Sequence, residues 1–201
     1  MNVQQLDTAV RLSQLQQQFP AAATFWSRYL DAVGGAAPAA RPSSAAARAG
    51  QQVMLNLGCG SSPLPGFVNV DIVEGEGIDA ADLSKPWPWP DDSVDYVYAS
   101  HVIEHLPDKI HTMNELWRVL RNGAAALIHV PTTEGSGAWQ DPTHVSFWNR
   151  RSFLYFEDGS PYREGFASSY GIRAKLRTQW EAMTPTPDGP QLSMLLQAVK
   201  S

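Results

Sequence analysis

The spacing of apolar residues along this chain changes several times, and each change marks a predicted element. Between residues 3 and 19, Val3, Leu6, Val10, Leu15 and Phe19 recur at helical spacing among glutamines, and Pro20 interrupts. Phe25, Trp26, Tyr29, Leu30 and Val33 repeat the pattern over 21–33, which Gly34-Gly35 ends. Two N-terminal helices are expected over 1–35, with packing favoured over a substrate lid or a dimer contact as their role. Residues 36–50, rich in Ala, Pro and Ser, read as a linker with nothing to bury. From residue 51 the period shortens. Val53–Leu57, Phe67–Asp71, the stretch from Ile78 toward Asp82, and Val94–Ala99 are short apolar runs of strand type. Residues 108–121 return to helical spacing through Ile110, Met113, Leu116, Trp117 and Leu120, with Asn122-Gly123 as the expected stop. A strand over Ala124–Val130, a short helix over 151–157, and two strands, Ile172–Trp180 and Leu192–Val199, complete the order. The alternation predicts an α/β domain over 51–201. Its sheet would be doubly wound and mostly parallel, with the last two strands as an antiparallel hairpin.

The chemistry gathers at the first two strands of that domain. Val53–Leu57 runs into Gly58-Cys59-Gly60, where the two glycines permit positive φ and close approach of a ligand to the main chain. Phe67–Val70 ends on Asp71. Ligands of open parallel sheets sit beyond the carboxyl ends of the strands. A glycine turn after one strand and a carboxylate after the next therefore outline a nucleoside pocket, the carboxylate accepting from both ribose hydroxyls. A dinucleotide site is a poor match. The third glycine of G-x-G-x-x-G is missing, Pro63 and Pro65 leave room for little more than one helical turn, and Asp71 arrives early.

L-N-L-G-C-G at 55–60 followed by V-N-V-D-I at 68–72 resembles motifs I and II of class I S-adenosylmethionine (SAM)-dependent methyltransferases, of the type 11 kind. The likeness continues through D-L at 82–83, P-W-P-D-D-S-V-D at 88–95, H-V-I-E-H-L at 101–106 and E-L-W-R-V-L-R-N-G at 115–123. It covers about residues 52–156. The resemblance implies a Rossmann-like fold and SAM as cofactor. It also implies a binding set of Gly58, Cys59, Gly60, Asp71, Ile72, Asp82, Leu83 and Ser100. Asp71 would hold the ribose diol, Asp82 the adenine amino group, and Leu83 an apolar wall. Cys59 reads as packing beside the cofactor rather than as a nucleophile, since no base adjoins it in sequence. Trp89 is expected either in the core or as a wall of the adenine site.

Methyl transfer from a sulfonium is an in-line displacement, so acceptor and methyl must be held close and aligned. A hydroxyl acceptor must also lose its proton. His105 and His144 are the candidate catalytic bases. H-x-x-E-H also fits a peptidase helix, but Pro107 cuts the segment short and it directly follows a strand end. A closer likeness is to metal-dependent O-methyltransferases of ubiquinone biosynthesis and of small-RNA 3′ ends, which use E-x-x-E-H and a later His. It implies a metal set of His101, Glu104, His105 and His144, with His101 standing where the pattern has its first Glu. Three imidazoles and one carboxylate suit a divalent transition metal (Zn, Fe, Mn or Ni) better than Mg. His111 and His129 are expected to be structural.

Composition narrows the partners. A net charge of −5 argues against general attraction to nucleic acid. The arginines and lysine between 150 and 177 read as solvated surface. A single cysteine excludes an internal disulfide and a Cys-rich metal site. No apolar run is long enough to span a membrane and the N-terminus lacks signal-peptide regions, so a cytoplasmic location is expected. Arg over Lys and abundant Ala and Pro fit a GC-rich bacterial genome. The expected function is SAM-dependent O-methylation of a small molecule or sugar, either with metal assistance or, without a metal, with His105 or His144 as the general base. A homodimer through the N-terminal helices is the expected assembly if those helices form a contact. The alternatives are N-methylation, or a SAM-binding regulatory protein without turnover. The tetrapeptide of DNA amino-methyltransferases, N-P-P-Y or D-P-P-Y, is absent; A-S-H-V stands in its place.

Overall fold

The computed structural model describes residues 52–200, and the elements expected over 1–50 lie outside the described residues. Seven strands form one sheet in the order β3-β2-β1-β4-β5-β7-β6. They are β1 (Met54–Leu57), β2 (Val68–Asp71), β3 (Ile78–Ala80), β4 (Val94–Ser100), β5 (Leu120–Pro131), β6 (Leu176–Thr184) and β7 (Gln191–Ala198). The first five are parallel, while β7 runs antiparallel to β5 and β6 antiparallel to β7. This is the expected Rossmann-like α/β sheet with its antiparallel C-terminal hairpin. β1 lies between β2 and β4 and is buried along its whole length, as a central parallel strand must be. Leu55 and Leu57 are almost fully excluded from solvent. Each contributes about 1.5–3 kcal/mol of burial.

Parallel strands are usually joined through a helix. Here β1 passes to β2 through residues 58–67 in turns only, where Pro63 and Pro65 left room for little more than one helical turn. Asn69 replaces the missing helix as an organiser. Its Oδ1 accepts from Leu64 N (2.7 Å) and from Asn56 Nδ2 (2.9 Å), and its Nδ2 donates to Leu64 O (3.1 Å).

Between β4 and β5 lies α1 (Lys109–Val119), capped by Asp108, whose carboxylate accepts from Ile110 N and His111 N. α1 ends earlier than expected. Leu120 is fully buried and already pairs with Val94, so tertiary packing draws it into β5. Asn122-Gly123 is therefore not a helix stop. It lies in an irregular stretch of β5 between the Val94–Leu120 and Tyr96–Ala125 pairs, with Gly123 at φ 78°. From α1, Arg118 donates to both Glu115 oxygens (2.8 and 2.7 Å), to Trp89 O and Asp91 Oδ1 (2.8 Å each) and to Trp87 O (3.0 Å). Glu115 also accepts from Trp87 N (2.7 Å). One ion pair thus pins the whole Pro86–Asp91 loop to α1.

Beyond β5, α2 (Arg150–Phe153) is shorter than the expected 151–157 helix and is capped by Asn149. A further helix, α3 (Pro161–Tyr170), was not expected. The hairpin strands are displaced from the expected spans, to 176–184 and 191–198, and the backbone N–H groups of Arg173 and Ala174 donate to Asn114 Oδ1 instead of to a strand. Arg150, Arg151, Arg173 and Arg177 are exposed, as expected of a solvated basic surface, and several of the basic residues also have partners within the domain. Arg150 meets Glu181, Arg177 faces Asp158, Arg151 bonds the Tyr162 hydroxyl, and the buried Arg163 donates to Ala174 O. No helix among the described residues is long and apolar enough to cross a membrane.

Candidate active site

Gly58, Cys59 and Gly60 turn the chain at the carboxyl end of β1, with Gly58 at φ 60° and Gly60 at φ 50°. Nothing lies within 4 Å of where a Cβ on Gly60 would stand, so a ligand can rest against this backbone. A Cβ on Gly58 would meet Val102 Cγ2 at 2.4 Å. The glycine turn is therefore packed directly on the segment that carries Glu104 and His105. Cys59 is a buried free thiol whose backbone N–H donates to Val70 O (3.0 Å). Burial and the nearby Asp71 carboxylate push its pKa up, which keeps it protonated and unreactive.

Asp71 ends β2 beside this turn. One carboxylate oxygen accepts from Gly60 N (2.8 Å) and the other from Ile72 N (2.8 Å). The acid is thereby held at the crevice with lone pairs to spare for a diol. Ile72 is exposed beside it. Asp82 is also exposed, but its Oδ1 serves its own loop, accepting from Ser84 N (2.9 Å) and Ser84 Oγ (2.6 Å). Those bonds hold its pKa below the usual range. Leu83 is buried, and its carbonyl accepts from Trp87 Nε1. Trp89 packs in the core, edge-on to Trp87, which answers the open choice between core and adenine wall in favour of the core. Ser100 closes β4, half-buried, one residue before His101.

After β4 the chain makes a single 3₁₀ turn, Ile103–His105. The loop following β5 is clamped onto it. Val145 N and Ser146 N both donate to Glu104 O (3.0 and 2.9 Å), and Ser146 Oγ donates to Ile103 O (2.9 Å). This clamp brings together residues some forty positions apart. The His105 and His144 rings lie 4.8 Å apart, edge to face. Ligand atoms of Glu104, His105 and His144 all lie within 4.8 Å of one another. His101 is outside that group. Its Nδ1 faces Glu104 Oε1 at 3.2 Å and its Nε2 faces Gln191 Oε1 at 3.2 Å. The Glu104 carboxylate raises the His101 pKa.

Three features bear on what this cluster can hold. The Glu104 side chain is only 2% exposed, yet neither oxygen has a hydrogen bond of good geometry. A buried carboxylate without donors is costly unless something else compensates it. His144 Nδ1 lies 3.2 Å from Ala138 O, and His105 Nδ1 lies 3.3 Å from Thr143 O. A carbonyl can only accept, so each Nδ1 carries a proton; Thr143 Oγ1, which gives its own proton to Asp141, lies 3.0 Å from His105 Nδ1, and His144 Nε2 faces Asp141 Oδ2 at 3.8 Å. A neutral ring protonated at Nδ1 ligates a metal through Nε2, with a backbone carbonyl fixing the ring. The donor set thus fits a divalent transition metal, although bonds of about 2.0–2.2 Å require the half-buried rings to draw in. His111 and His129 bond Lys85 O (2.9 Å) and Ser193 Oγ (2.7 Å), as structural residues would.

Residues 55–128 match the model of the methyltransferase domain family. Over these residues the chain is similar to methyltransferase domains. No curated protein matches the chain in sequence. Several solved structures share the fold. A chain from the Haloferax volcanii complex of the Trm112 methyltransferase activator with a methyltransferase is 18% identical at TM-score 0.50, covering 74% of this chain and 83% of that one. A SAM-dependent methyltransferase of Methanosarcina mazei is 14% identical at TM-score 0.51, covering 75% and 95%. The [4+2]-cyclase SpnF is 10% identical at TM-score 0.52, covering 76% of each chain. At these identities the likeness concerns the fold, and the reaction must be argued from the site. A cavity of about 600 Å³ between Phe153, Tyr162, Trp180 and Glu181 shares no residue with the candidate site described above.

Proposed function

We propose that this protein transfers the SAM methyl group to a hydroxyl oxygen of a small molecule or sugar, with metal assistance. The observation that carries the reading is the buried Glu104 carboxylate, short of donors, beside two imidazoles whose Nδ1 atoms face backbone carbonyls. A hydroxyl acceptor must lose its proton as it attacks the methyl, and a metal or an adjacent imidazole can assist that loss. The contact of Gly58 with Val102 supports placing that deprotonation next to the cofactor turn.

In this reading Asp71 accepts from the ribose hydroxyls. Gly58 and Gly60 admit the methionine part, Ile72 and Leu83 flank the adenine, and the free oxygen of Asp82 accepts from its amino group. Glu104, His105 and His144 would hold the metal, which when bound would lower the pKa of an acceptor hydroxyl at neutral pH. The backbone carbonyls of Thr143 and Ala138 keep both rings in the required tautomer. Orientation supplies the rest, since transfer from a sulfonium needs alignment more than acid–base chemistry.

The test is methyl transfer from labelled SAM to a panel of hydroxyl acceptors. His105→Ala and His144→Ala should abolish transfer while S-adenosylhomocysteine binding persists. Chelator should abolish it in the wild type, and Zn²⁺, Mn²⁺ or Fe²⁺ should restore it. Transfer that survives exhaustive chelation but is lost in either variant would move both histidines to the role of general base. Transfer that survives in both variants would remove them from the chemistry.

A further inference from the structure

We propose that His101 is a positioning residue, which holds the Glu104 carboxylate toward His105 and His144 and does not itself join the ligand set. The inference rests on the metal-assisted reading above, and it corrects the ligand set expected from the sequence. Both ring nitrogens of His101 already face side-chain oxygens, Nδ1 toward Glu104 Oε1 and Nε2 toward Gln191 Oε1, at 3.2 Å each. Both ring nitrogens are thus engaged, and His101 supplies no ligand atom to the group formed by Glu104, His105 and His144.

The backbone is arranged to hold the ring there. His101 stands at φ 54°, a left-handed conformation uncommon for any residue with a Cβ. Such outliers persist where the surroundings over-determine them, and they cluster at functional sites. Here the surroundings are the end of the sheet. His101 N donates to His129 O (3.0 Å), one step past the Ser100–His129 pair, and Gln191 opens β7 opposite Pro131. The ring is thus fixed between a strand end and the Glu104 carboxylate, whose Oε1 lies 3.2 Å from Nδ1. Its side chain is 49% exposed, against 2% for Glu104. The partly exposed group steers the buried one, as an outer partner does for a ligating residue.

Two substitutions separate positioning from ligation. His101→Gly suits the left-handed backbone and removes the ring. His101→Asn also tolerates that backbone and sets an amide N–H near the place of Nδ1, so it can still donate to Glu104. The probe is Co²⁺, titrated into metal-free protein and followed by its visible absorption. Melting temperature and S-adenosylhomocysteine affinity are measured on the same samples. His101→Gly should weaken Co²⁺ binding about 10- to 100-fold without lowering the metal-free melting temperature. His101→Asn should recover most of that affinity and show the wild-type absorption bands. Wild-type Co²⁺ affinity in His101→Gly would overturn the inference. So would an equal loss in His101→Asn with displaced bands, because that marks a missing ligand. A wild type that binds S-adenosylhomocysteine but not Co²⁺ would overturn the metal reading and this inference together, leaving the cofactor site standing.

Discussion

Replacing Gly58 by alanine should disturb the fold and the site together, and its cost can be worked from the geometry. The residue stands at φ 60°, where a Cβ costs about 1–2 kcal/mol. The new Cβ would also lie 2.4 Å from Val102 Cγ2 and 2.5 Å from Val102 Cβ, far inside van der Waals contact. Relieving such overpacking costs about 1–3 kcal/mol. The sum, about 2–5 kcal/mol, is a large part of a typical stability of about 5–15 kcal/mol. Val102→Ala should not rescue the variant, because the Val102 Cβ remains in the way; Val102→Gly should. Urea unfolding by circular dichroism on both single variants and the Gly58→Ala/Val102→Gly double variant measures the coupling. A favourable coupling of about 1–3 kcal/mol is expected, with the backbone part of the loss unrecovered. Additive single effects, or a Gly58→Ala variant as stable as the wild type, would refute the claim that the cofactor turn is packed on the His101–His105 segment.

Two further outcomes follow from α1 and from the glycine turn. The hydrogen bonds from Arg118 depress the Glu115 pKa. A depressed carboxylate stabilises the fold above its unfolded-state pKa, and that stability is lost as pH falls through the folded-state value. Glu115→Gln should therefore cost about 1.5–3 kcal/mol at pH 7. The difference from wild type should shrink once pH drops below about 4.3 toward the folded-state value, as read by urea unfolding against pH. A constant gap down to strongly acidic pH would contradict the role of that charge. Cys59→Ala should keep methyl transfer and lose about 1 kcal/mol, as trimming a small buried residue does. Loss of transfer with S-adenosylhomocysteine binding intact would show that the thiol has a chemical role.

Much of the sheet was legible because a short strand buried on both faces leaves a mostly apolar run, as at Val53–Leu57 and Phe67–Val70, each broken by a single asparagine. The proline pair at 63 and 65 limited the expected connection to little more than one helical turn, and the structure has none there. Where sequence and structure part, tertiary packing or an overlooked cap is the cause. Leu120 fits a helix face and a strand equally well by pattern, and only its pairing with Val94 decides between them. α3 had a readable start and stop in Ser160-Pro161 and Gly171, the last at φ 72°. Its apolar periodicity is weak, because Tyr162, Phe166 and Tyr170 pack with Tyr155 at the surface rather than in the core. The meeting of His144 with His105 rests on hydrogen bonds from Val145 and Ser146 to Glu104 O, which no spacing announces. The same holds for the tautomers, which two backbone carbonyls set, and for His101, whose partner Gln191 is 90 residues away.

The central claim is that the crevice between the glycine turn and Asp71 binds SAM. Calorimetric titration of S-adenosylhomocysteine into the wild type and Asp71→Ala tests it directly, with NAD as the competing nucleotide. Asp71 lies at the surface with its oxygens on Gly60 N and Ile72 N, so its removal leaves the core intact. The wild type should bind S-adenosylhomocysteine and prefer it to NAD. Losing the charge-assisted bonds to the diol, about 1.5–3 kcal/mol, should weaken binding in Asp71→Ala about 10- to 150-fold. Equal affinity in the two proteins, or tighter binding of NAD, would contradict the account.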